Sequence, residues 1–336
     1  MDAATRSDNR NASSAAAVGS PQHRRQRRRF LADLHRYGPQ ASPQPISLRR
    51  ANAYCRRLAR NHYENFTVVS RFVPRDLRQD FCNIYAWCRW ADDLADETDS
   101  PQQAAALLEW WQRELSACFA GEASHPVTIA LHETISRYAI PAEPFLDLLV
   151  AFRQDQQKFR YDTFEELLDY CRHSADPVGR LVLHLARCAT PERIALSDSI
   201  CTGLQLANFW QDVAVDFARG RMYIPQSEFR RFHCDLAVVA RGEADDAFRL
   251  MMRSLVDQAE AYLKRGVPLV AKMPSDLRVP IALFIAGGSA ICRAIREVEY
   301  DVLTRRPELS KLQKIRLVAR TWWSVKRGRF GAEVVS

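Results

Sequence analysis

The sequence predicts an all-α protein built as a single helical domain, and three observations predict it. Long stretches rich in Leu, Ala, Arg and Glu place an apolar residue every three to four positions, the period of a helix with one buried face. Alternation at a period of two, the mark of a half-buried strand, is almost absent. Only 12 Gly and 16 Pro occur in 336 residues, so the periodic stretches are largely free of helix breakers. At 47% hydrophobic and 26% charged residues, the chain has apolar material for one large domain or two ordinary ones, and no repeat of fixed period divides it.

Residues 1–47 are rich in Ala, Ser, Arg, Gln and Pro without periodicity, and the expectation there is a mostly disordered basic leader. From residue 48 to about 325 the pattern is helix after helix, about ten in all, with a short tail at 326–336. The breaks fall at "VPRD" (73), "TDSPQQ" (98), "GEASHP" (121), "IPAEP" (140), "ADP" (175), "TPER" (190), "IPQSEF" (224), "MPSDLRVP" (273) and "RRPELS" (305). In "SPQQ" and "TPER" a hydroxyl precedes a proline, the combination that starts a helix: the hydroxyl accepts from an otherwise unpaired N–H, and proline has no N–H to lose.

Nine cysteines, an odd number without a CxxC pair, are scattered through apolar segments, which reads as free thiols in a reducing compartment. The longest apolar run, "IALFIAGGSAI" at 281–291, falls short of the roughly 20 residues a bilayer span needs. Arg-rich "HRRQRRRF" at 23–30 is not followed by the sustained apolar core of a secretory signal. The net charge of +8 is concentrated at the two ends, where no nucleic-acid reading motif is recognisable, so no nucleic-acid partner is expected.

The stretch "IYAWCRWADDLADE", 84–97, crowds Asp92, Asp93, Asp96 and Glu97 after residues that should be buried. On a helix, Tyr85, Arg89, Asp92 and Asp96 follow at steps of four, three and four and share one face, while Asp93 and Glu97 turn onto the next. Carboxylates one turn apart suit Mg²⁺, a hard cation often held by one or two carboxylates plus substrate phosphates. A solvated acidic helix end is the competing reading.

A second stretch, "QLANFWQDVAVDFARGRMYIP" at 205–225, places Gln205, Asn208, Asp212 and Asp216 at steps of three, four and four. Leu206, Phe209, Trp210, Val213 and Phe217 leave little dry face for conventional packing of that helix. Two such helices facing each other would line a site for several Mg²⁺ ions and, through them, a diphosphate. Arg89, Arg219 and Arg221 stand next to these stripes, and guanidinium groups hold phosphate oxygens in pairs; they also serve to neutralise neighbouring Asp residues.

Taken with "NHYENF" at 61–66 and "YCRHSADPVGRLVL" at 170–183, these motifs resemble the squalene/phytoene synthase family, head-to-head prenyl synthases of the all-α isoprenoid synthase fold with a central cavity. The resemblance runs from about residue 50 to about 320 and is strongest to the bacterial hopanoid-pathway branch named hydroxysqualene synthase. It implies an enzyme that ionises presqualene diphosphate and lets water capture the cation, with Mg²⁺ as cofactor. Condensation of two farnesyl diphosphates is the enzymatic alternative, and a catalytically silent scaffold relative is the non-enzymatic one.

By resemblance, Asp92 and Asp96 would bind the first Mg²⁺ and Asn208, Asp212 and Asp216 the second. His62, Asn65, Tyr85, Arg89, Gln205, Arg221, Tyr223 and Arg305 would lie around the diphosphate, and Phe66, Phe209 and Trp210 are candidates for stabilising a carbocation, or else ordinary core. Gly288 stands where related dehydrosqualene and squalene synthases carry Tyr. The Gly287–Gly288 pair either lets two helices approach closely or leaves room for the quenching water.

Trp322 and Trp323 among Lys and Arg read either as an interfacial segment for anionic lipid or as a terminal helix packed on the core. The expected setting is the cytoplasm, peripheral to the inner face of the membrane and next to neighbouring squalene-pathway enzymes.

Overall fold

The computed structural model describes residues 21–42, 45–62 and 73–331. Among them sixteen helical segments follow in order: α1 (Pro21–Tyr37), α2 (Leu48–His62), α3 (Arg78–Asp96), α4 (Pro101–Ala120), α5 (Pro126–Tyr138), α6 (Glu143–Gln154), α7 (Phe164–Ser174), α8 (Asp176–Leu185), α9 (Pro191–Gln211), α10 (Val213–Ala218), α11 (Gln226–Arg231), α12 (Ala237–Arg241), α13 (Asp246–Gly266), α14 (Leu269–Lys272), α15 (Arg278–Glu297) and α16 (Lys311–Lys326). Extended pairing among the described residues is confined to one bridge between Arg160 and Met222. The all-α expectation holds. Four of the segments, α10, α11, α12 and α14, are turns of four to six residues that the sequence periodicity does not resolve.

The starts of α4 and α9 are as the sequence predicts. Ser100 and Thr190 accept hydrogen bonds from the N–H groups of Gln103 and Arg193, and Pro101 and Pro191 begin the helices. The leader departs from expectation. Within it α1 is ordered by Phe30, which is buried against Trp90 with ring centroids 5.5 Å apart, and by Asp33, which accepts a 2.8 Å hydrogen bond from Tyr54. Its apolar spots at Phe30, Leu34 and Tyr37 are one turn apart but diluted by eight Arg and His, which hides the period.

Two apolar cores result. The first, under α1 to α6, is aromatic, with Trp87, Trp90 and Trp111 stacked and Phe145 edge-on to Trp87. Polar groups pin α3 to α5 within it: the buried Asp80 accepts from Thr134 at 2.8 Å and from Tyr138 at 3.2 Å, while Asn83 donates to the Ala130 carbonyl at 3.1 Å. The second core gathers Trp210, Phe248, Met251, Met252, Leu263 and Ile285 from α9, α13 and α15.

Within the second core, α9 packs against α8, α13 and α15. Close approach depends on missing side chains. A Cβ at Gly203 of α9 or at Gly288 of α15 would fall 2.9 Å from Leu263 of α13, so that leucine fills the space between two glycines. Gly288 is therefore a packing residue, whereas Gly287 has no described atom within 4 Å of where a Cβ would sit. Of the two readings of this pair, close approach belongs to Gly288 and open space to Gly287. α15 is long and apolar enough to cross a membrane, yet 72% of its most apolar window is buried inside the protein.

His125 makes a measurable link between this packing and pH. It caps α5 by accepting from the Val127 N–H at 3.1 Å, and its ring is enclosed by Tyr37, Trp90, Trp110 and Trp111. Burial pushes its pKa down to about 3. The unfolded chain then binds more protons than the folded one between about pH 3 and 6.5, so this contribution is complete above pH 6.5 and is lost on acidification. About 2 kcal/mol of it is gone by pH 5. Buried carboxylates with raised pKa, such as Asp93 and Asp176, act with the opposite sign in the same range, so the comparison is differential. His125→Asn, which keeps a capping oxygen but does not titrate, should lose less stability than the unaltered protein between pH 7 and 5 in denaturant melts; parallel losses would refute the assignment.

Candidate active site

The first acidic stripe lies where α3 leaves the aromatic core. Trp87, Trp90, Ala91 and Leu94 bury one side of the helix and turn Tyr85, Arg89, Asp92 and Asp96 to the other. The four crowded acids divide into two pairs. Asp93 and Glu97 are buried and have internal partners: Arg89 reaches Asp93, and Arg27 of α1 lies 3.8 Å from Glu97. Asp92 accepts from Arg89 at 2.8 Å and Asp96 is exposed, so these two face the site. Burial pushes Asp92 up to about 6, with Asp96, Asp155 and Glu97 adding to it against Arg89. It pushes Asp93 up to about 7. Tyr85, half-buried on the same face, is pushed up to about 12 by burial.

The second stripe is broken where the sequence suggests one helix. α9 ends at Gln211 and α10 begins at Val213, with Asp212 between them at φ −105° and ψ 14°. The turn-to-turn spacing survives the bend because the Asp212 N–H donates to Asn208 at 3.0 Å and the Asp216 N–H donates to Asp212 at 2.8 Å. Gln205, Asn208, Asp212 and Asp216 thus remain in line, while Leu206, Phe209 and Trp210 are buried behind them. Burial pushes Asp216 up to about 6, with Asp212 adding to it.

Arg221 joins the stripes. Gly220, at φ 81°, makes the turn after α10 that a side chain would strain, and pairing of Met222 with Phe159 and of Gln226 with Tyr161 draws the following residues across. The Arg221 guanidinium then lies 4.0 Å from Asp96 and in the field of Asp155 and Asp216. Behind it Tyr223 stacks on Phe209 at 3.9 Å, and Tyr161 and Tyr170 complete an aromatic wall. Trp210, fully buried, belongs to the core.

Asp155 and Tyr170 are additions that sequence reasoning missed. Tyr170 donates to Asp155 at 2.8 Å, and burial pushes this carboxyl up to about 6 despite that bond and Arg221, with Asp96 adding to the rise. The only signal was indirect: a lone acid after α6 in "FRQDQQKF", and a Tyr opening the motif "YCRHSADP". Asn65, Phe66 and the side chain of His62 lie outside the described residues.

Among the described residues Arg305 makes no hydrogen bond or ion pair with the stripes. It lines a surface cavity with Arg249, Glu297 and Asp301. Its neighbour Arg306 takes the inward position, forking onto both oxygens of Asp212, the second at 3.1 Å, while Gln211 donates to the Pro307 carbonyl.

The family model for squalene/phytoene synthases matches residues 59–313, which contain both stripes and Arg221. The chain belongs to the squalene/phytoene synthase family. Among solved structures, the squalene synthase HpnC from Alicyclobacillus acidocaldarius is 46% identical, with a TM-score of 0.73 over 76% of this chain and 97% of that one. A dehydrosqualene synthase structure, at 23% identity and a TM-score of 0.74 over 83% and 98% of the two chains, shares the fold. The 15-cis-phytoene synthase of Synechococcus elongatus is 29% identical over 281 residues, 80% of this chain and 91% of that protein.

Family enzymes generally use a divalent metal to ionise a diphosphate, and the donor set fits one. Asp92, Asp96, Asp155 and Asp216 form a carboxylate-rich surface, with three of the four pushed toward protonation by burial and, further, by neighbouring carboxylates. Among the described residues no three ligand-type side chains converge on one point.

Arg306 places a positive charge directly on Asp212. Arg306→Gln should lower the melting temperature without metal by about 2 °C or less, since the pair is partly exposed, and should enlarge the rise on adding divalent cation. An unchanged metal response would show that Arg306 does not compete for Asp212.

Proposed function

We propose that the protein is a hydroxysqualene synthase, converting presqualene diphosphate and water to hydroxysqualene and diphosphate with Mg²⁺ as cofactor. The observation that carries the reaction class is the pair of carboxylate stripes joined by Arg221. The likeness to the squalene synthase HpnC, at 46% identity against 29% for the phytoene synthase, favours the squalene branch.

When bound, Mg²⁺ supplies a Lewis acid that stabilises negative charge developing on the departing diphosphate. Asp92 and Asp96 would hold it on one side, and Asn208, Asp212 and Asp216 on the other. Arg89 and Arg221 would orient phosphate oxygens, with Tyr85 and Tyr223 as hydroxyl donors whose raised pKa keeps them protonated. The C–O bond breaks with both electrons leaving on diphosphate, the water oxygen bonds to the carbon cation, and that water gives up a proton. The Phe209–Tyr223 stack offers ring faces to positive charge.

Head-to-head condensation of farnesyl diphosphate is the second reading, favoured by the phytoene synthases among the relatives. Nine free cysteines support a reducing, cytoplasmic setting.

Incubation with Mg²⁺ and presqualene diphosphate should yield hydroxysqualene regardless of NADPH, identified by chromatography and mass spectrometry. Presqualene diphosphate or squalene formed from farnesyl diphosphate alone would move the protein to the second reading. Asp92→Asn and Asp212→Asn should each lower turnover about a hundredfold or more with helical circular dichroism unchanged; retained activity in both would sink the metal-site reading.

The glycine pair separates a chemical role from a packing one. Gly287→Phe should shift product away from the hydroxylated species at nearly unchanged melting temperature, whereas Gly288→Phe should destabilise by about 1–3 kcal/mol through Leu204 and Leu263. An unchanged product from a folded Gly287→Phe protein would remove the water-admitting role.

A further inference from the structure

α16 carries two faces that solve different problems. Its inner side, through Leu317, Val318, Thr321 and Val325, turns toward the protein, where α16 packs against α15. Its outer side aligns Leu312, Ile315, Trp322 and Trp323, at 55%, 65%, 37% and 52% exposure. The last two have rings 5.8 Å apart. These are four of the twelve large apolar side chains exposed among the described residues, and the other eight are spread over the rest of the chain. Concentration on one stripe of one helix is what calls for a partner.

Charge identifies it. From Lys311 to Arg329 there are seven basic residues (Lys311, Lys314, Arg316, Arg320, Lys326, Arg327 and Arg329) and no acidic one. On a helical projection Arg316 and Arg320 flank one edge of the stripe and Lys311 the other, with Lys326 near its end. The Arg327 guanidinium lies 4.5 Å from the Trp323 ring centre, so charge and indole meet at one level. Arg316 and Arg320 also line a cavity of about 640 Å³ between α15 and α16, whose walls include Ala286, Ala290, Leu309 and Leu317. A second copy of this chain would bring the same seven positive charges against these, which disfavours self-association.

We infer that α16 docks the protein onto an anionic lipid surface, lying in the interface with Leu312, Ile315, Trp322 and Trp323 inserted at the level of the headgroups and the basic residues on lipid phosphates. The capping box at Ser310 and Gln313 fixes the start of the helix, and its packing on α15 presents the stripe already formed, so little ordering accompanies binding. The surface is independent of the reaction assigned to the acidic site.

The test is co-flotation of the full chain with phosphatidylcholine vesicles, with and without phosphatidylglycerol, at two salt concentrations. Binding should be about tenfold or more tighter to the anionic vesicles and should weaken with salt. Trp322→Ala/Trp323→Ala should reduce it about tenfold, and Lys311→Glu/Lys326→Glu should abolish the preference for anionic lipid, each with an unchanged melting temperature. Equal binding to both vesicle types, or a folded double-Trp variant that binds as well as the unaltered chain, would overturn the inference. So would sedimentation showing a dimer that the Trp substitutions dissociate.

Discussion

Mutual repulsion of carboxylates is the constraint that shapes this molecule. Asp92, Asp93, Asp96, Asp155, Asp212 and Asp216 arrive from three parts of the chain at one seam between two cores. The scaffold answers with arginines placed in order of depth. Arg89 and Arg27 neutralise the buried Asp93 and Glu97, Arg221 stands between the stripes, and Arg306 reaches in from the loop before α16. Burial first, and the neighbouring carboxylates after it, nevertheless displace several carboxyls toward protonation, so the arginines offset the cost of crowding these acids only in part. That residue of unbalanced charge is what a cation-bridged diphosphate would satisfy.

Positioning comes from rigid parts. α3 is fixed by tryptophan packing and by the Asp80 network, and α9 by its neighbours in the second core. The polar groups extend from the ends of these helices, where a backbone bend at Asp212 aims the last two carboxylates without breaking the turn-to-turn hydrogen bonds. The aromatic wall of Tyr161, Tyr170, Phe209 and Tyr223 joins the two arms of this arrangement, because Tyr161 and Tyr223 come from the segments that also supply Asp155 and Arg221, while Phe209 belongs to α9 itself.

The features legible in the sequence were those carried by local spacing. Helical periodicity gave the fold class, and steps of three and four placed both acidic stripes, because neighbours on one helix face are fixed by geometry alone. What spacing does not encode is which segments meet. Asp155 and Tyr170 join the site through the end of α6 and the packing of α7, and neither has a local pattern that marks it. Arg305 and Arg306 are adjacent in a loop, where no period says which turns inward. α1 was concealed for another reason: Phe30, Asp33 and Tyr37 contact α2 and α3 rather than each other, and its arginines dominate its composition.

Leu263 has an implication for how such a protein changes over time. It occupies the volume left vacant by two glycines on two different helices, so the three residues share a single allotment of space. A methyl group gained at Gly288 is tolerable when the side chains at 263 and 204 shrink, whereas one gained at Gly203 would still meet the backbone nitrogen of residue 263 at 2.9 Å. Substitutions at 204, 263 and 288 should therefore be inherited as sets, with bulk migrating from one helix to another while the distance between the helices stays the same, and position 203 should stay glycine throughout.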